Sequence, residues 1–295
     1  MSNLASPGLR LRQAWESSAI AIPGVFCPLV AKMAERMGFH AVYLSGGGLS
    51  ASLGLPDIGL ITLSEVVQQA QAICQATSLP LICDADTGFG STVNVERTVR
   101  LLEAAGVAGL HLEDQELPKR CGHLSGKTLL SAEEMVTKIR AAIAARRDPN
   151  LVIIARTDAR GVSGLEETIR RAQLYKQAGA DVIFPEALES AEEFARLRQE
   201  VDGPLLANMT EFGRSPLLNR TELEQMGYRL ILYPLTAFRM ALRAAEITLR
   251  HLQTHGHQCE LLPQMYTRAE LYDLLDYTGY EERDRQYFGP TSFRE

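Results

Sequence analysis

The chain has no apolar run approaching the roughly 18 residues that a membrane-spanning helix needs, so no membrane partner is expected. Its opening stretch, "MSNLASPGLRLRQAWES", holds no apolar signal core, which sets the expectation of a cytoplasmic protein. Positive charge is not in excess. The net charge is −6, and a phosphate-binding surface wants the opposite sign, so nucleic acid is excluded as a main partner. Cysteine is sparse and unevenly placed, at 27, 74, 83, 121 and 259, which fits free thiols in a reducing compartment. No Pro/Gly/Ser linker divides the chain, and no low-complexity tract or repeat of about 20 to 50 residues stands out.

What is present is an alternation. Of 295 residues, 46% are hydrophobic, enough for a large single core. Short runs rich in Val, Ile, Leu or Tyr lie at 19–26, 40–46, 79–86, 108–114, 151–158, 181–187, 204–210 and 228–234. They alternate only weakly in polarity, as strands buried on both faces do. Amphipathic stretches lie between them, at 64–77, 94–106, 131–147 and 164–179 among others. Ser64, Asn94, Ser131 and Ser190 read as their N-caps, Gly38, Gly106 and Gly179 as their ends, and "SAEE" as a capping box. Eight such units predict an α/β fold, a closed (β/α)8 TIM-type barrel over 1–235. A C-terminal helical segment follows over 236–295. Helices at 236–256 and 267–280 carry apolar faces that must bury against something, another subunit being one candidate.

A barrel of this kind gathers its chemistry at the C-terminal ends of its strands. Those ends carry Tyr43 and Ser45 before "GGG", Asp84 and Asp86, Glu113 and Asp114, Arg156 and Asp158, Glu186, Asn208 and Thr210, and Tyr233. Asp84 and Asp86, two apart on an extended chain, point the same way. With Glu113 and Asp57 they form a set of hard oxygen ligands suited to Mg2+ or Mn2+. The alternative is N-capping and solvated strand ends. Backbone amides of the "SGGG" turn can face an anion, or the glycines can serve a tight turn alone. A buried Arg156 needs an acid, Glu186 or Asp158, or an anionic substrate. His111 reads as a satisfied core group, and His251, His255 and His257 as helix-end cations rather than a metal site. Cys121 is the one thiol in a charged setting, "KRCGH", where Lys119, Arg120 and His123 are expected to draw its pKa toward neutrality. Gly122 and Gly126 make that loop a candidate lid.

These motifs, "YLSGGG", "DADTGFG", "GLHLEDQ", "KRCGH", "ARTDA", "FPEA" and "LANMTEFG", in this order, resemble the isocitrate lyase and phosphoenolpyruvate mutase superfamily. Within it the chain is most similar to the branch that cleaves 2-methylisocitrate. The resemblance implies a barrel whose eighth helix swaps between subunits of a homotetramer, a dimer of dimers. It implies Mg2+-dependent cleavage of (2S,3R)-2-methylisocitrate, a small-molecule tricarboxylate, to pyruvate and succinate in the methylcitrate cycle of propionate catabolism. It places the metal directly on Asp84, with Asp57, Asp86 and Glu113 acting mainly through waters. Tyr43, Ser45, Gly46 and Gly47 take the pyruvate half, and Gly122, His123, Arg156, Glu186, Asn208 and Thr210 the succinate half. Lys119 and Arg120 count with the substrate-binding residues, Cys121 is the proton donor, and Tyr43 is the candidate base. Phe184 and Leu232 mark the branch by framing the recess for the C2 methyl. The rivals are an oxaloacetate decarboxylase or a C–P bond enzyme, isocitrate lyase itself, and an inactive barrel used for binding.

Overall fold

The computed structural model describes residues 5–288. All eight apolar runs become strands: β1 Ile20–Pro23, β2 Val42–Leu44, β3 Leu81–Asp84, β4 Gly109–Glu113, β5 Val152–Thr157, β6 Val182–Pro185, β7 Leu206–Asn208 and β8 Leu230–Tyr233. β2 to β6 pair in chain order, and β8 pairs with both β7 and β1, all parallel. Single parallel bridges, Gly24 to Tyr43 and Ile183 to Leu205, close the two seams. The result is an eight-stranded parallel barrel with helices between the strands.

The period of two along each strand separates two core layers. Leu110, Leu112, Ile153, Ala155 and Ile183 face outward into a core shared with the helices. Ile22, Ile82, Val152, Ile154, Val182, Leu206 and Leu230 face the barrel interior, joined by Leu11 and Trp15 of the first helix, Pro7–Glu16. Each fully buried aliphatic side chain of this inner layer contributes about 1.5–3 kcal/mol relative to exposure. Continuing the inward phase to the C-terminal ends gives Tyr43, Asp84, His111, Glu113, Arg156, Phe184, Asn208 and Leu232. The same alternation that fills the barrel therefore aims the polar set at its mouth.

Two expected caps move. Thr62, not Ser64, opens helix Leu63–Ala76, because Thr62 and Glu65 form a reciprocal capping box. Ser91, not Asn94, opens helix Thr92–Ala104, where Asn94 is the third residue and receives the Ser91 N–H and O–H. Ser131 and Ser190 cap as expected, and Gly38, Gly106 and Gly179 all take positive φ beyond helix ends.

The chain forms two compact units, one through Arg239 and one from Met240, so the division falls inside helix Thr236–His255 rather than at its start. The second unit continues with a 3-10 turn, Cys259–Gln264. The helix expected over 267–280 is two, Arg268–Leu274 and Tyr277–Phe288, because Asp276 between them takes a left-handed conformation, φ 56°. Met240, Leu242, Ile247 and Leu249 lie exposed on helix Thr236–His255.

Candidate active site

Three carboxylates meet at the mouth beside β2 and β3. Asp84 ends β3 and accepts from the amides of Gly46, at 3.0 Å, and Asp86, at 3.0 Å. Asp86 does not reach the cluster along an extended strand. It sits at φ 45°, in a turn that folds its carboxylate back toward Gly46. A side chain at Gly46 would press within 2.9 Å of Asp84 Oδ2, which is why the backbone can approach so closely only as glycine. The "SGGG" turn thus directs its first amide at the protein's own carboxylate, and Gly48 donates to the Ser45 hydroxyl at 3.2 Å. Lys119 Nζ lies between Asp57 and Asp86, 2.7 Å from the latter. Burial raises the Asp84 carboxyl, but His111, Lys119 and Arg156 outweigh it and hold it down at about 2. Burial and then the Asp84 charge push Asp86 up to about 6.

Arg156 is buried at the end of β5 among three more acids. Its Nε and Nη2 donate to Asp158 at 3.0 and 3.1 Å, its Nη2 lies 3.2 Å from Glu186, and its Nε 3.4 Å from Glu113. Lys127 also donates to Asp158, at 2.9 Å. Both expected partners of the arginine, Asp158 and Glu186, are therefore present. Asn208 Nδ2 steadies Glu186 at 3.2 Å, and His123 Nε2 lies 2.9 Å from it. Burial pushes Glu113 well above the usual carboxylate range, more than Arg156 pulls it back.

The charge balance of this mouth is uneven. Asp57, Asp84, Asp86, Glu113, Asp158 and Glu186 face the full cations Lys119, Lys127 and Arg156. Glu113 Oε1 is buried with no hydrogen-bond partner. A surplus of buried carboxylate oxygens, one of them orphaned, fits a hard divalent cation, which would offset the like-charge repulsion that raises Asp86.

His111 belongs to this site rather than to a satisfied core. Its Nε2 is 2.8 Å from Tyr43 Oη and 3.5 Å from Asp84 Oδ1, while its Nδ1 has no partner. The Phe184 ring stands edge-on to the imidazole at 5.4 Å and lies under the Arg156 guanidinium at 5.2 Å. Burial raises the Tyr43 phenol, which therefore keeps its proton, and burial lowers His111 against the opposing pull of the Asp84 charge.

The "KRCGH" loop closes over these groups. Its base is a short antiparallel contact, Gln115 to Leu129, and the Gln115 side chain holds the Arg120 amide and carbonyl. Lys127 donates to the Gly122 carbonyl, and Arg214 N–H donates to His123 Nδ1 at 3.0 Å. Gly122 packs so tightly that any Cβ would collide with Arg156 and Glu186. The expected lowering of the Cys121 pKa does not occur. Burial pushes the thiol up, because Lys119 is engaged by Asp57 and Asp86, His123 by Glu186, and the Arg120 side chain lies over Gly126. The other four cysteines lie elsewhere, and burial raises Cys74 to about 11.

The loop and strand ends enclose a cavity of about 70 Å3. It is lined by Tyr43, Ser45, Gly47, Asp57, Asp84, Lys119, Arg120, Cys121, Gly122, His123, Arg156, Phe184, Glu186, Asn208, Thr210 and Leu232. Gly46, Asp86 and Glu113 stand behind that lining, in contact with it. A larger cleft of about 580 Å3 lies outside, among Thr87, Ser91, Gln115, Glu134 and Lys138, but lacks the convergent buried acids. Sequence reasoning passed over His111 and Lys127. The inward phase of β4 could have found His111, but Lys127 reaches Asp158 only through loop geometry.

The profile of the phosphoenolpyruvate phosphomutase family matches residues 11–253. A 2-methylisocitrate lyase of Aeropyrum pernix is 53% identical, covering 96% of this chain and 92% of its own. One from Escherichia coli is 47% identical, over 95% of this chain and 96% of its own. Among solved structures, a 2,3-dimethylmalate lyase superposes with TM-score 0.90 at 37% identity, covering 97% of each chain. A phosphonopyruvate hydrolase in complex with oxalate and Mg2+ gives 0.86 at 30%, covering 97% of this chain and 100% of its own. With the barrel, the carboxylate cluster and these relatives agreeing, the chain belongs to the phosphoenolpyruvate phosphomutase family.

Proposed function

We propose that the chain is a Mg2+-dependent carbon–carbon lyase that cleaves (2S,3R)-2-methylisocitrate between C2 and C3, giving pyruvate and succinate. The observation that carries this reading is the half-buried thiol of Cys121, its pKa pushed up by burial, held at one wall of a cavity whose other walls include Arg156 and Asp84. The names of the most similar relatives support it.

Mg2+ held by Asp84, with Asp57, Asp86 and Glu113 around it, would supply Lewis-acid stabilisation of the charge that develops on the substrate's oxygens. Tyr43, joined at 2.8 Å to His111, can take the C2 hydroxyl proton by passing its own to the imidazole. As the C2–C3 bond breaks, the C2 oxygen becomes the ketone of pyruvate and the electron pair moves to C3 and its carboxylate. Arg156 stabilises that charge while Asp158 and Glu186 hold the guanidinium in place. Cys121 gives C3 its proton. The Cys121 loop, with Gly122 and Gly126 in it, acts as a lid that admits substrate and then recloses.

Cleavage in D2O tests the direction of electron flow. The expected result is one deuterium in succinate and none in the pyruvate methyl at early times. Deuterium in the pyruvate methyl would instead mark protonation of an enolpyruvate, the outcome for an oxaloacetate decarboxylase.

We also infer a homotetramer in which helix Thr236–His255 packs on a neighbouring subunit, as its exposed Met240, Leu242, Ile247 and Leu249 favour. Light scattering at micromolar concentration is expected to give four chains per particle, and a monomer would refute the inference.

A further inference from the structure

The end of helix Thr236–His255 brings together side chains that the catalytic reading does not use. His251 and His255 lie one turn apart and stack at 4.4 Å between ring centres. The chain then turns at Gly256, φ 69°, which returns His257 toward the helix, and Glu260 is the second residue of the following 3-10 turn. His251 Nε2 is 3.1 Å from Glu260 Oε2, and His257 Nδ1 is 3.2 Å from the same oxygen. The donor atoms of His251, His257 and Glu260 all lie within 4.8 Å of one another.

Those spacings have a chemical meaning. Ligand bonds of about 2.0–2.1 Å in a tetrahedral zinc site put neighbouring donor atoms roughly 3.3 Å apart. Two of the three separations already have that size. Two imidazoles and one carboxylate are borderline ligands, suited to Zn2+ and its neighbours rather than to Mg2+. The stacked His255 ring, with its Nδ1 3.1 Å from the His251 carbonyl, restrains the His251 imidazole. Glu260 and His257 are partly exposed, so an ion can reach them and solvent can fill the fourth position.

We propose that His251, His257 and Glu260 form a binding site for a zinc-type divalent cation, which ties the end of this helix to the turn that follows it. This is separate from the carboxylate cluster and does not rest on the proposed activity.

The test uses the full chain, titrated with ZnCl2 near pH 7.5 in millimolar Mg2+. Wild type is expected to bind one more equivalent of Zn2+ than a His251→Ala/His257→Ala variant. Single His257→Ala and Glu260→Gln substitutions should weaken that equivalent by about tenfold or more, of the order seen when ligand support is lost. Catalytic rate should be unchanged in all three. Co2+ added to unmodified protein should also give the intense visible bands of a four-coordinate site, a readout that needs no variant. Equal Zn2+ stoichiometry and affinity in wild type and the double variant, or a Co2+ spectrum that stays six-coordinate, would show that the cluster is only a set of ion pairs.

Discussion

Cys121→Ser is expected to lower kcat by about two to four orders of magnitude, the usual size of general acid–base catalysis, with KM little changed. Serine keeps the small polar shape but is a far weaker acid. The argument does not need the thiolate that the cationic neighbours suggested. A proton donor must hold its proton until the carbanion forms, and the role proposed for Cys121 asks only that its partial burial push the thiol up. The loop's anchors, Gln115 on Arg120 and Lys127 on Gly122, involve backbone groups and other side chains, so the substitution leaves the fold in place. Unchanged circular dichroism and Mg2+ affinity check that point. Near-normal turnover by the serine variant would remove Cys121 from the chemistry.

Loss of the cation should cost at least as much. Excess chelator is expected to abolish activity, and Mg2+ or Mn2+ to restore it. Asp84→Asn should lower kcat by roughly a thousandfold or more and resist rescue by millimolar metal, since Lewis-acid stabilisation is worth several kcal/mol and each 1.36 kcal/mol is tenfold. Asparagine keeps the size of the side chain and can accept from one of the two amides, Gly46 or Asp86, which Asp84 holds on different oxygens, while the charge is lost. Asp84→Ala would lose both bonds as well as the charge. Full activity of wild type in excess chelator would sink the role assigned to the four carboxylates.

Much of this is legible in the sequence. The eight strands follow from apolar runs too continuous for one-sided sheets, and the polar ends of those runs, with the "KRCGH" loop, name most of the cavity lining. Caps such as Thr62 and Ser91 were missed because neighbouring Ser64 and Asn94 offer the same side-chain chemistry, and only the reciprocal bonds with Glu65 and Asn94 decide between them. The break at Asp276 was invisible because a non-glycine residue in a left-handed conformation carries no strong sequence signal. The thiol pKa was misjudged for a related reason. "KRCGH" counts the cations near Cys121 but not the acids on other strands that engage Lys119 and His123. His111 looked like core because it lies in a buried strand, and burial does not tell a packed group from one aimed at a mouth.

The substrate assignment turns on one methyl group. Phe184 and Leu232 line the cavity and are nearly inaccessible, which supports a small apolar recess for a substituent on C2. Such a recess gains about 1–3 kcal/mol from one methyl-sized group, roughly 10- to 200-fold in kcat/KM. Leu232→Thr should erode that margin without altering the Mg2+ requirement. The most direct measurement is kcat/KM of the wild-type protein for 2-methylisocitrate, isocitrate and oxaloacetate under one set of conditions with Mg2+. The expected result is efficient cleavage of 2-methylisocitrate, a preference of about 10- to 200-fold over isocitrate, and no decarboxylation of oxaloacetate. Equal use of isocitrate, or turnover of oxaloacetate alone, would contradict the assignment.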